Sequence, residues 1–533
     1  MKKLTFCSDI QMEPLVRNWY SWIHLIPPAT FSLNLRNRYI PILESYINAP
    51  EVHKDCVASP EMRGGPFIDF EEARVEEVQQ LLSKINSDCA GNLDLAKAIE
   101  SIPKLLNDMA DGYSLEPLYN SLPRLIRGYA ELYYDLNGRP SFRLFEGLLY
   151  KSEYYREDFQ SLAFSRIARD RNRPFILSTP RLPDEKTLHV QLPFRSRAID
   201  KIFRSKRIAC DPGEIADELG LNREQREFFQ SLFSLNSVPP YREYNGKGMR
   251  IRYFGHACIL IEGKGVNILM DPVLSYTYDA DINRLTYDDL PYKIDYVLIT
   301  HSHQDHILLE TMLQIRSTIG CILIARNLDG FLVDPSLKLA LQMVGFNNVR
   351  EIHEMEEIEI PGGTITGIPF LGEHHDLPIH SKMCYMVRIH QFSFLAMADA
   401  TNIDEVLYER VRQHTSQIDA LFLGMECDGS PPSWVYGPLL PFKVSREMDY
   451  SRRGRGCNFV EARNIVERFG CKEVYVYAMG LEPWLKHILN LEYTEHSNPI
   501  IQSKKLIEHC RSRGINAEML FGEKEILMED MRV

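Results

Sequence analysis

The chain has 533 residues, with 61 Lys and Arg against 73 Asp and Glu, which gives a formal net charge of −12 and a sequence pI near 5.8. This acidic balance argues against a nucleic-acid-binding protein. With 44% hydrophobic and 25% charged residues the chain has a globular composition, and at about 150 residues per domain its length predicts two to four domains.

No apolar run approaches the roughly 18 residues of a membrane span, and no apolar segment follows the lysines near the start. We therefore expect a cytoplasmic protein. The 11 cysteines are scattered from Cys7 to Cys510 without a C-x-x-C pair. This odd number predicts buried thiols in a reducing compartment and no disulfide bonds.

Residues 1–245 are predicted to form a mostly helical N-terminal domain with some β-structure. Amphipathic patterns predict helices over residues 75–85, 95–109 and 141–155, of which the second is expected to kink or restart at Pro103. Short strands are predicted over residues 175–179 and 188–194. Residues 236–248 combine two prolines with terminal glycines and are the predicted linker, so that residues 246–533 form a second domain.

The second domain shows a different pattern, in which short apolar strands first form a meander and then alternate with helices. Strands followed by helices predict two mixed sheets with helices on their outer faces. The predicted strands cover residues 249–254, 257–262, 266–270, 294–300, 321–325, 357–370 (with a turn at 361–363), 384–389, 392–397, 418–425 and 473–477. The predicted helices cover residues 308–316, 336–343, 406–412 and 460–469.

The strongest chemical signal directly follows the buried strand at residues 294–299. His301, His303, Asp305 and His306 place four possible metal ligands within six positions. In extended backbone His301, His303 and Asp305 would converge on one side, whereas His306 would turn toward a second centre. Imidazole and carboxylate at this density predict a site for two divalent ions rather than an ordinary polar loop.

Two later carboxylates follow strands of the same domain. Glu373 follows the strand that ends near Leu371, and Asp399 follows the strand over residues 392–397. An aspartate at such an edge is able to bridge two cations, although it is also a common residue at the start of a helix. Glu373 has the alternative interpretation of a solvated loop carboxylate.

The motif H-x-H-x-D-H, carried here by His301, His303, Asp305 and His306, resembles that of the metallo-β-lactamase superfamily over about residues 249–525. The resemblance implies an αββα sandwich with a binuclear site at one edge of the sheets. Hydrolases of this superfamily usually have a histidine where this chain offers Glu373. A carboxylate makes the site harder and more anionic, which favours iron.

With Glu373 and the long N-terminal half, the whole chain resembles the diiron β-hydroxylases of nonribosomal peptide and antibiotic biosynthesis, such as that of the chloramphenicol pathway. The resemblance implies that His301, His303 and Glu373 bind one iron, that Asp305 and His306 bind the other, and that Asp399 bridges the irons or completes the second site. Glu426, at the end of the strand over residues 418–425, is either an extra ligand or a hydrogen-bond acceptor behind the ligands. We take Glu373, Asp399 and Glu426 as the candidate catalytic carboxylates, and His487 as a further possible ligand.

The resemblance implies an O2-dependent monooxygenase that hydroxylates the β-carbon of an aminoacyl group held as a thioester on a carrier domain. Because no G-x-G-x-x-G motif lies between a strand and a helix, the electrons are expected to come from an external reductase. The alternatives are a dizinc hydrolase of a lactone, thioester or phosphodiester, and a non-catalytic binding module. Aromatic and aliphatic aminoacyl groups both stay open, with a leucine-like side chain as the working hypothesis.

Carrier domains are commonly acidic, so a chain of net charge −12 needs a local basic face to bind one. Residues 195–207 and 443–455 are cation-rich, and the second segment is the preferred docking hypothesis because it follows Glu426 closely. Intramolecular pairing of these cations is the alternative. The resemblance also implies a homodimer, for which the aromatic residues 129–134 are candidates unless they belong to the core.

Overall fold

The computed structural model describes residues 3–170 and 173–529. The N-terminal part is an α+β unit in which strands are more numerous than the sequence patterns predict. Its strands are β1 (Thr5–Phe6), β2 (Ile10–Val16), β3 (Trp19–Tyr20), β4 (Ala130–Tyr134), β5 (Pro140–Leu144), β6 (Gln160–Arg166), β7 (Leu188–Gln191) and β8 (Phe233–Ser234). Its helices are α1 (Pro28–Asn34), α2 (Ile40–Asn48), α3 (Pro50–Ala58), α4 (Val75–Asp88), α5 (Ala90–Met109), α6 (Glu146–Leu149), α7 (Arg197–Arg204), α8 (Pro212–Glu218) and α9 (Arg223–Ser231).

The predictions for this part are confirmed for α4, α5 and β7, and helix α5 runs through Pro103 without restarting. Two other predictions, over residues 141–155 and 175–179, are wrong. The helix predicted over residues 141–155 is instead strand β5, which pairs with β4, followed by the single turn of α6. The strand predicted over residues 175–179 is a turn, whose apolar side chains are buried although its backbone has no partner strand among the described residues.

Within the described residues, the second part of the chain, from Met249 onward, is built on two sheets of seven strands each. The first sheet has the order β14-β13-β12-β11-β10-β9-β22 and the second β15-β16-β17-β18-β19-β20-β21. The strands are β9 (Met249–Tyr253), β10 (Ile259–Gly263), β11 (Val266–Met270), β12 (Ile294–Ile299), β13 (Ile319–Ala325), β14 (Val349–Ile352), β15 (Glu357–Ile360), β16 (Gly363–Ile368), β17 (Cys384–Ile389), β18 (Phe392–Ala396), β19 (Ala420–Gly424), β20 (Glu473–Tyr477), β21 (Asn516–Met519) and β22 (Lys524–Met528).

The helices of this part lie between those strands in the chain. They are α10 (Leu309–Ile315), α11 (Leu337–Met343), α12 (Leu407–Gln413), α13 (Pro432–Val435), α14 (Arg446–Ser451), α15 (Phe459–Phe469), α16 (Lys486–Leu489) and α17 (Asn498–Ser512). The predicted αββα sandwich is confirmed, together with all of its predicted strands and helices to within a few residues. Strand β14, the short helices α13, α14 and α16, helix α17 and the closing strands β21 and β22 were not predicted.

Two apolar layers hold the sandwich together. Ile261 and Ile268 of the first sheet and Val387 and Phe394 of the second belong to one buried cluster between the sheets. A second cluster, which includes Leu421, packs the outer face of the second sheet against α12, α15 and α17. Because both faces of these strands are buried, they have nearly continuous apolar sequences, which explains why the patterns predicted them well.

Strand direction brings the polar residues of interest to one edge of the sandwich. Strand β12 is parallel to β11, with Leu298 opposite Met270, and β18 is parallel to β19, with Ala396 opposite Phe422. The residues that follow these strands therefore leave the sheets at corresponding ends. They include the candidate ligands that follow β12 and β18.

A buried ion cluster joins the two parts of the chain. Glu13 and Arg181 of the N-terminal part form an ion pair at 2.7 Å, and Arg173 bridges Glu13, at 2.7 Å, to Glu310 of helix α10, at 2.5 Å. Every side chain in this cluster is less than a tenth exposed. The charges of the cluster balance, with two guanidinium groups and two carboxylates, so removal of one member would leave an uncompensated buried charge.

Within the described residues no helix is both long and apolar enough to cross a membrane. Each of the eleven cysteines has a free thiol.

Candidate metal centre

The H-x-H-x-D-H segment leaves β12 in turns rather than in extended backbone. The amides of His306 and Ile307 both donate to the carbonyl of His303, at 3.0 Å each. This turn moves Asp305 to the side of His306 and away from His301. The expectation that His301, His303 and Asp305 converge by strand alternation is therefore wrong, because alternation requires backbone that stays extended.

The first ligand cluster contains His301, His303, Glu373 and His374, each offering one ligand atom within 4.8 Å of the others. His303 Nδ1 lies 3.2 Å from Glu373 Oε1, and His374 Nδ1 lies 3.0 Å from Glu373 Oε2. All four side chains are buried. The structure thus brings Glu373 beside the two histidines, as the resemblance implied, and adds His374, which no spacing had singled out.

The second cluster contains His256, Asp305 and His306. His256 Nε2 lies 3.2 Å from Asp305 Oδ2, and the rings of His256 and His306 are 5.2 Å apart. His256 was not predicted, because it stands in the turn between β9 and β10, distant in sequence from the motif. The preceding Gly255 has a positive φ of 100°, which marks a tight turn at this edge.

Asp399 lies between the two clusters. Its Oδ2 atom is 3.0 Å from His306 Nε2 and 3.7 Å from His301 Nε2. An ion in either cluster would be within reach of this carboxylate, since His301 belongs to the first cluster and His306 to the second. Asp399 therefore lies near candidate ligands of both clusters.

Side chains behind the clusters fix which ring nitrogen of each histidine faces inward. Asp271, directly after β11, accepts from the backbone amide of Thr300 at 2.8 Å and contacts His306 Nδ1 at 2.9 Å. His306 Nε2 is thereby turned toward Asp399. The hydroxyl of Tyr436 lies 2.9 Å from His303 Nε2, which leaves Nδ1 facing Glu373. Outer hydrogen bonds of this kind orient metal ligands.

The clusters have the electrostatics and the unpaired atoms of a cation site. Burial raises the pKa of Glu373, but His303 and His374 outweigh it and hold that pKa below its usual value. Burial, reinforced by Asp305 and Glu373, raises the pKa of Asp399. Buried polar atoms rarely lack hydrogen-bond partners, yet five side-chain atoms of the described residues in these clusters make no hydrogen bond: His301 Nε2, His306 Nε2, Glu373 Oε2, His374 Nε2 and Asp399 Oδ1. A mixed imidazole and carboxylate set that converges on unpaired atoms fits two iron ions.

A cavity of about 530 Å³ opens beside the clusters and is lined by Asp305, Glu373, Asp399 and Glu426. Glu426 does not join the ligand clusters among the described residues. It accepts hydrogen bonds from Tyr493 Oη at 2.6 Å and from the Gly429 amide at 2.7 Å, and burial raises its pKa to about 7. His487 lies elsewhere, at the interface with the N-terminal part, where its ring centroid is 6.4 Å from that of Tyr20.

The two cation-rich segments are largely engaged within the chain. In residues 443–455, Arg452 donates to the carbonyl of His375 at 2.6 and 2.9 Å, and Arg453 donates to the carbonyl of Asp428 at 2.5 Å. In residues 195–207, Lys201 pairs with Glu218 at 2.6 Å, and Arg207 donates to the carbonyl of Leu290 at 2.5 Å. The arginines near the cavity therefore support its wall.

Replacing His256 with asparagine should weaken metal binding at the second cluster. Asp305 would lose its partner at 3.2 Å, and the loss of such a contact typically lowers metal affinity or activity by about 10- to 100-fold. The measurement is the iron bound per chain across a titration. His390→Asn is the matched control, since both histidines have positive φ, 50° and 55°, and His390 belongs to neither cluster. Equal iron affinity in the two variants would contradict a role for His256.

Comparisons with known proteins match the chain in two segments and over its full length. Residues 6–237 match a model described as the N-terminal domain of diiron non-heme β-hydroxylases, and residues 250–423 match a β-lactamase superfamily domain. The 4-amino-L-phenylalanyl-[CmlP-peptidyl-carrier-protein] 3-hydroxylase of Streptomyces venezuelae is 37% identical over 521 residues, which cover 96% of this chain and 97% of that protein.

Solved structures agree with the sequence matches. The crystal structure of CmlA, a diiron β-hydroxylase from Streptomyces venezuelae, superposes with a TM-score of 0.93 at 35% identity and covers 99% of both chains. A glutamate-to-aspartate variant of CmlA gives a TM-score of 0.91, also at 35% identity, and covers 98% of this chain and 100% of the variant. The similarity therefore extends through both parts of the chain.

Proposed function

Because the chain belongs to the family of diiron non-heme β-hydroxylases, we propose that it hydroxylates the β-carbon of an aminoacyl group tethered as a thioester to a carrier domain. The relative acts on such a substrate, an aminoacyl group on a peptidyl carrier protein. The observation that carries the proposal is the Glu373 carboxylate, 3.2 Å from His303 Nδ1 in the first ligand cluster. An oxygen donor there favours iron over the softer ligand sets of zinc hydrolases.

We assign His301, His303 and Glu373 to the first iron, with His374 as an additional candidate. Asp305 and His306 are assigned to the second iron, and Asp399 to the position between the two. The assignment is supported by the two clusters of ligand atoms within 4.8 Å of one another and by the contacts of Asp399 with His301 and His306. We propose that the Glu426 carboxylate faces the substrate in the cavity. The alternative is that Glu426 binds a metal once its hydrogen bond with Tyr493 is broken.

When bound, two iron ions would supply the O2 chemistry needed to hydroxylate a carbon–hydrogen bond, with electrons from an external reductase. The protein contributes position and environment. Tyr436 and Asp271 hold the rings of His303 and His306 so that one nitrogen of each faces inward.

We further propose that the chain divides near residue 245 and that the N-terminal part forms a homodimer. The dimer is supported by exposed apolar side chains around the hairpin of β4 and β5. Tyr113 and Leu136 are 78% and fully exposed, and Tyr134 Oη donates to the carbonyl of Tyr113 at 2.8 Å. Large apolar side chains grouped on a surface commonly mark an interface.

The test of the function is mass spectrometry of carrier proteins loaded with different amino acids and incubated with the iron-loaded enzyme, O2 and a reductant. We expect one loaded carrier to gain a single oxygen atom, which would also identify the amino acid. Release of the amino acid from the carrier without oxygen gain would support a hydrolase instead. The aerobically purified diferric protein should also absorb in the near ultraviolet at wavelengths longer than those of its aromatic side chains, which a zinc protein does not.

A further inference from the structure

His256 differs from the other histidines of the metal centre in the contacts of its ring. The backbone amide of Gly480 donates to His256 Nδ1 at 3.1 Å. Because an amide N–H is a donor only, Nδ1 must be the acceptor and carries no proton. The proton of the neutral imidazole ring is therefore assigned to Nε2.

The Nε2 atom of His256 faces a carboxylate. It lies 3.2 Å from Asp305 Oδ2, and a carboxylate oxygen accepts the ring N–H. Both ring nitrogens of His256 are thus engaged, one as an acceptor and one as a donor, so that neither has a lone pair left for a metal. In agreement with this, His256 is buried, yet none of its atoms is among the buried side-chain atoms that make no hydrogen bond in the described part of the chain.

Two of the candidate ligand histidines have the opposite polarity. Nδ1 of His306 faces the Asp271 carboxylate at 2.9 Å. Nδ1 of His301 faces the hydroxyl of Thr300 at 3.1 Å. Oxygen atoms of these kinds accept a ring N–H, which leaves the lone pair on Nε2, and the Nε2 atoms of both histidines make no hydrogen bond. Such a ring is able to bind a metal through its inner nitrogen, whereas the ring of His256, whose outer nitrogen meets an N–H, is not.

The backbone that follows strand β20 holds His256 in this orientation. The amide of Ala478 donates to the carbonyl of His256 at 3.0 Å, and the amide of Gly480 donates to its ring. The same segment therefore fixes both the main chain and the side chain of His256. In turn, the ring of His256 contacts the oxygen of Asp305 that lies 3.8 Å from His306 Nε2. The contact thus holds two candidate ligands of one metal beside each other.

We propose that His256 is a positioning residue, which holds the Asp305 carboxylate in place for the second iron and does not itself bind iron. The inference rests on the proposed function and deepens it by narrowing the ligand set of the second iron. Three side chains, those of Asp305, His306 and Asp399, remain for that iron, whereas the first cluster offers four. The second iron is therefore the one with more coordination positions open to O2 or solvent.

The first test makes the same substitution at the positioning residue and at a ligand, and measures iron by anaerobic titration with ferrous iron. Glutamine has an amide N–H near the place of the ring Nε2 but no nitrogen lone pair that binds iron. His256→Leu, which keeps no hydrogen bond to Asp305, should lower the affinity for the second iron by about 10- to 100-fold. His256→Gln should recover most of that loss, whereas His306→Gln should lose the second iron. Equal affinities of His256→Gln and His256→Leu would overturn the proposal.

The second test depends neither on activity nor on the folding of His256→Leu. At saturating iron, pulsed electron paramagnetic resonance of the one-electron-reduced enzyme detects the nitrogen atoms that are bound to iron. His256→Gln should keep every histidine nitrogen coupling of the unmodified enzyme, because His256 contributes none, and loss of a coupling would overturn the proposal. A failure of the proposed function would appear differently, as absence of oxygen gain on the loaded carrier, while retained couplings in His256→Gln would still support the role of His256.

Discussion

Glu373→Gln is expected to lower hydroxylation by more than about 100-fold and to leave the first cluster largely without iron. The variant keeps the length of the side chain but removes the charge beside His303 and His374. Even contacts behind the ligands change metal affinity or activity by about 10- to 100-fold, and a direct ligand should exceed that range. The measurements are iron per chain after reconstitution and single-oxygen gain on the loaded carrier.

Asp376→Asn is the matched control for Glu373→Gln. Both residues stand in the same loop with positive φ, 64° for Glu373 and 57° for Asp376, so the same acid-to-amide change meets a similar backbone. The side chain of Asp376 is 81% exposed and belongs to neither cluster. Full iron content and turnover in Glu373→Gln would remove Glu373 from the ligand set and with it the main argument for iron.

Part of the first cluster was expected from the sequence, because three of its four side chains follow strong local patterns, whereas His374 was not singled out. His301, His303 and Glu373 each follow a strand that is buried on both faces, and such strands have apolar runs that are easily read. Where these strands end, the ligands must lie near one edge of the sandwich. The expectation that His301, His303 and Glu373 share one metal came from the resemblance and not from the spacing.

The second cluster depends on contacts that no local pattern records. His256 reaches Asp305 because the turn between β9 and β10 folds over the end of β12, a contact between residues 49 positions apart. Likewise, Asp305 joins His306 because the loop turns after His301. A pattern of alternating residues cannot show where extended backbone stops, so the alternation argument failed there.

The N-terminal part was predicted less well because its short elements depend on their partners. Residues 141–155 have apolar residues at helical spacing, but residues 140–144 pair with β4 and become a strand. Residues 175–179 are apolar in the manner of a strand, yet they fill the core as a turn. Tertiary contacts override weak local preferences in segments this short.

Glu310→Ala should destabilise the folded protein by about 3–5 kcal/mol, because it removes one carboxylate from a buried cluster of balanced charge. Glu310 is 2% exposed and accepts hydrogen bonds from Tyr20 at 2.7 Å and from Tyr276 at 2.6 Å, in addition to the ion pair with Arg173. Without Glu310 the Arg173 guanidinium would share the single carboxylate of Glu13 with Arg181. The measurement is unfolding in urea, followed through the transition in which the two parts separate. The quantities compared are the urea midpoint and the free energy of unfolding of that transition.

The control for Glu310→Ala is Glu409→Ala, which also removes a helical glutamate from an ion pair, that with Arg468 at 2.9 Å. The Glu409 side chain is 53% exposed, so water solvates the arginine that remains, and the expected cost is about 0–1 kcal/mol. Because the penalty in the buried cluster comes from an uncompensated charge, Glu310→Met combined with Arg173→Met should cost less than Glu310→Ala alone. If Glu310→Ala and Glu409→Ala unfold at the same urea concentration, the buried cluster does not join the two parts of the chain in the way its contacts imply.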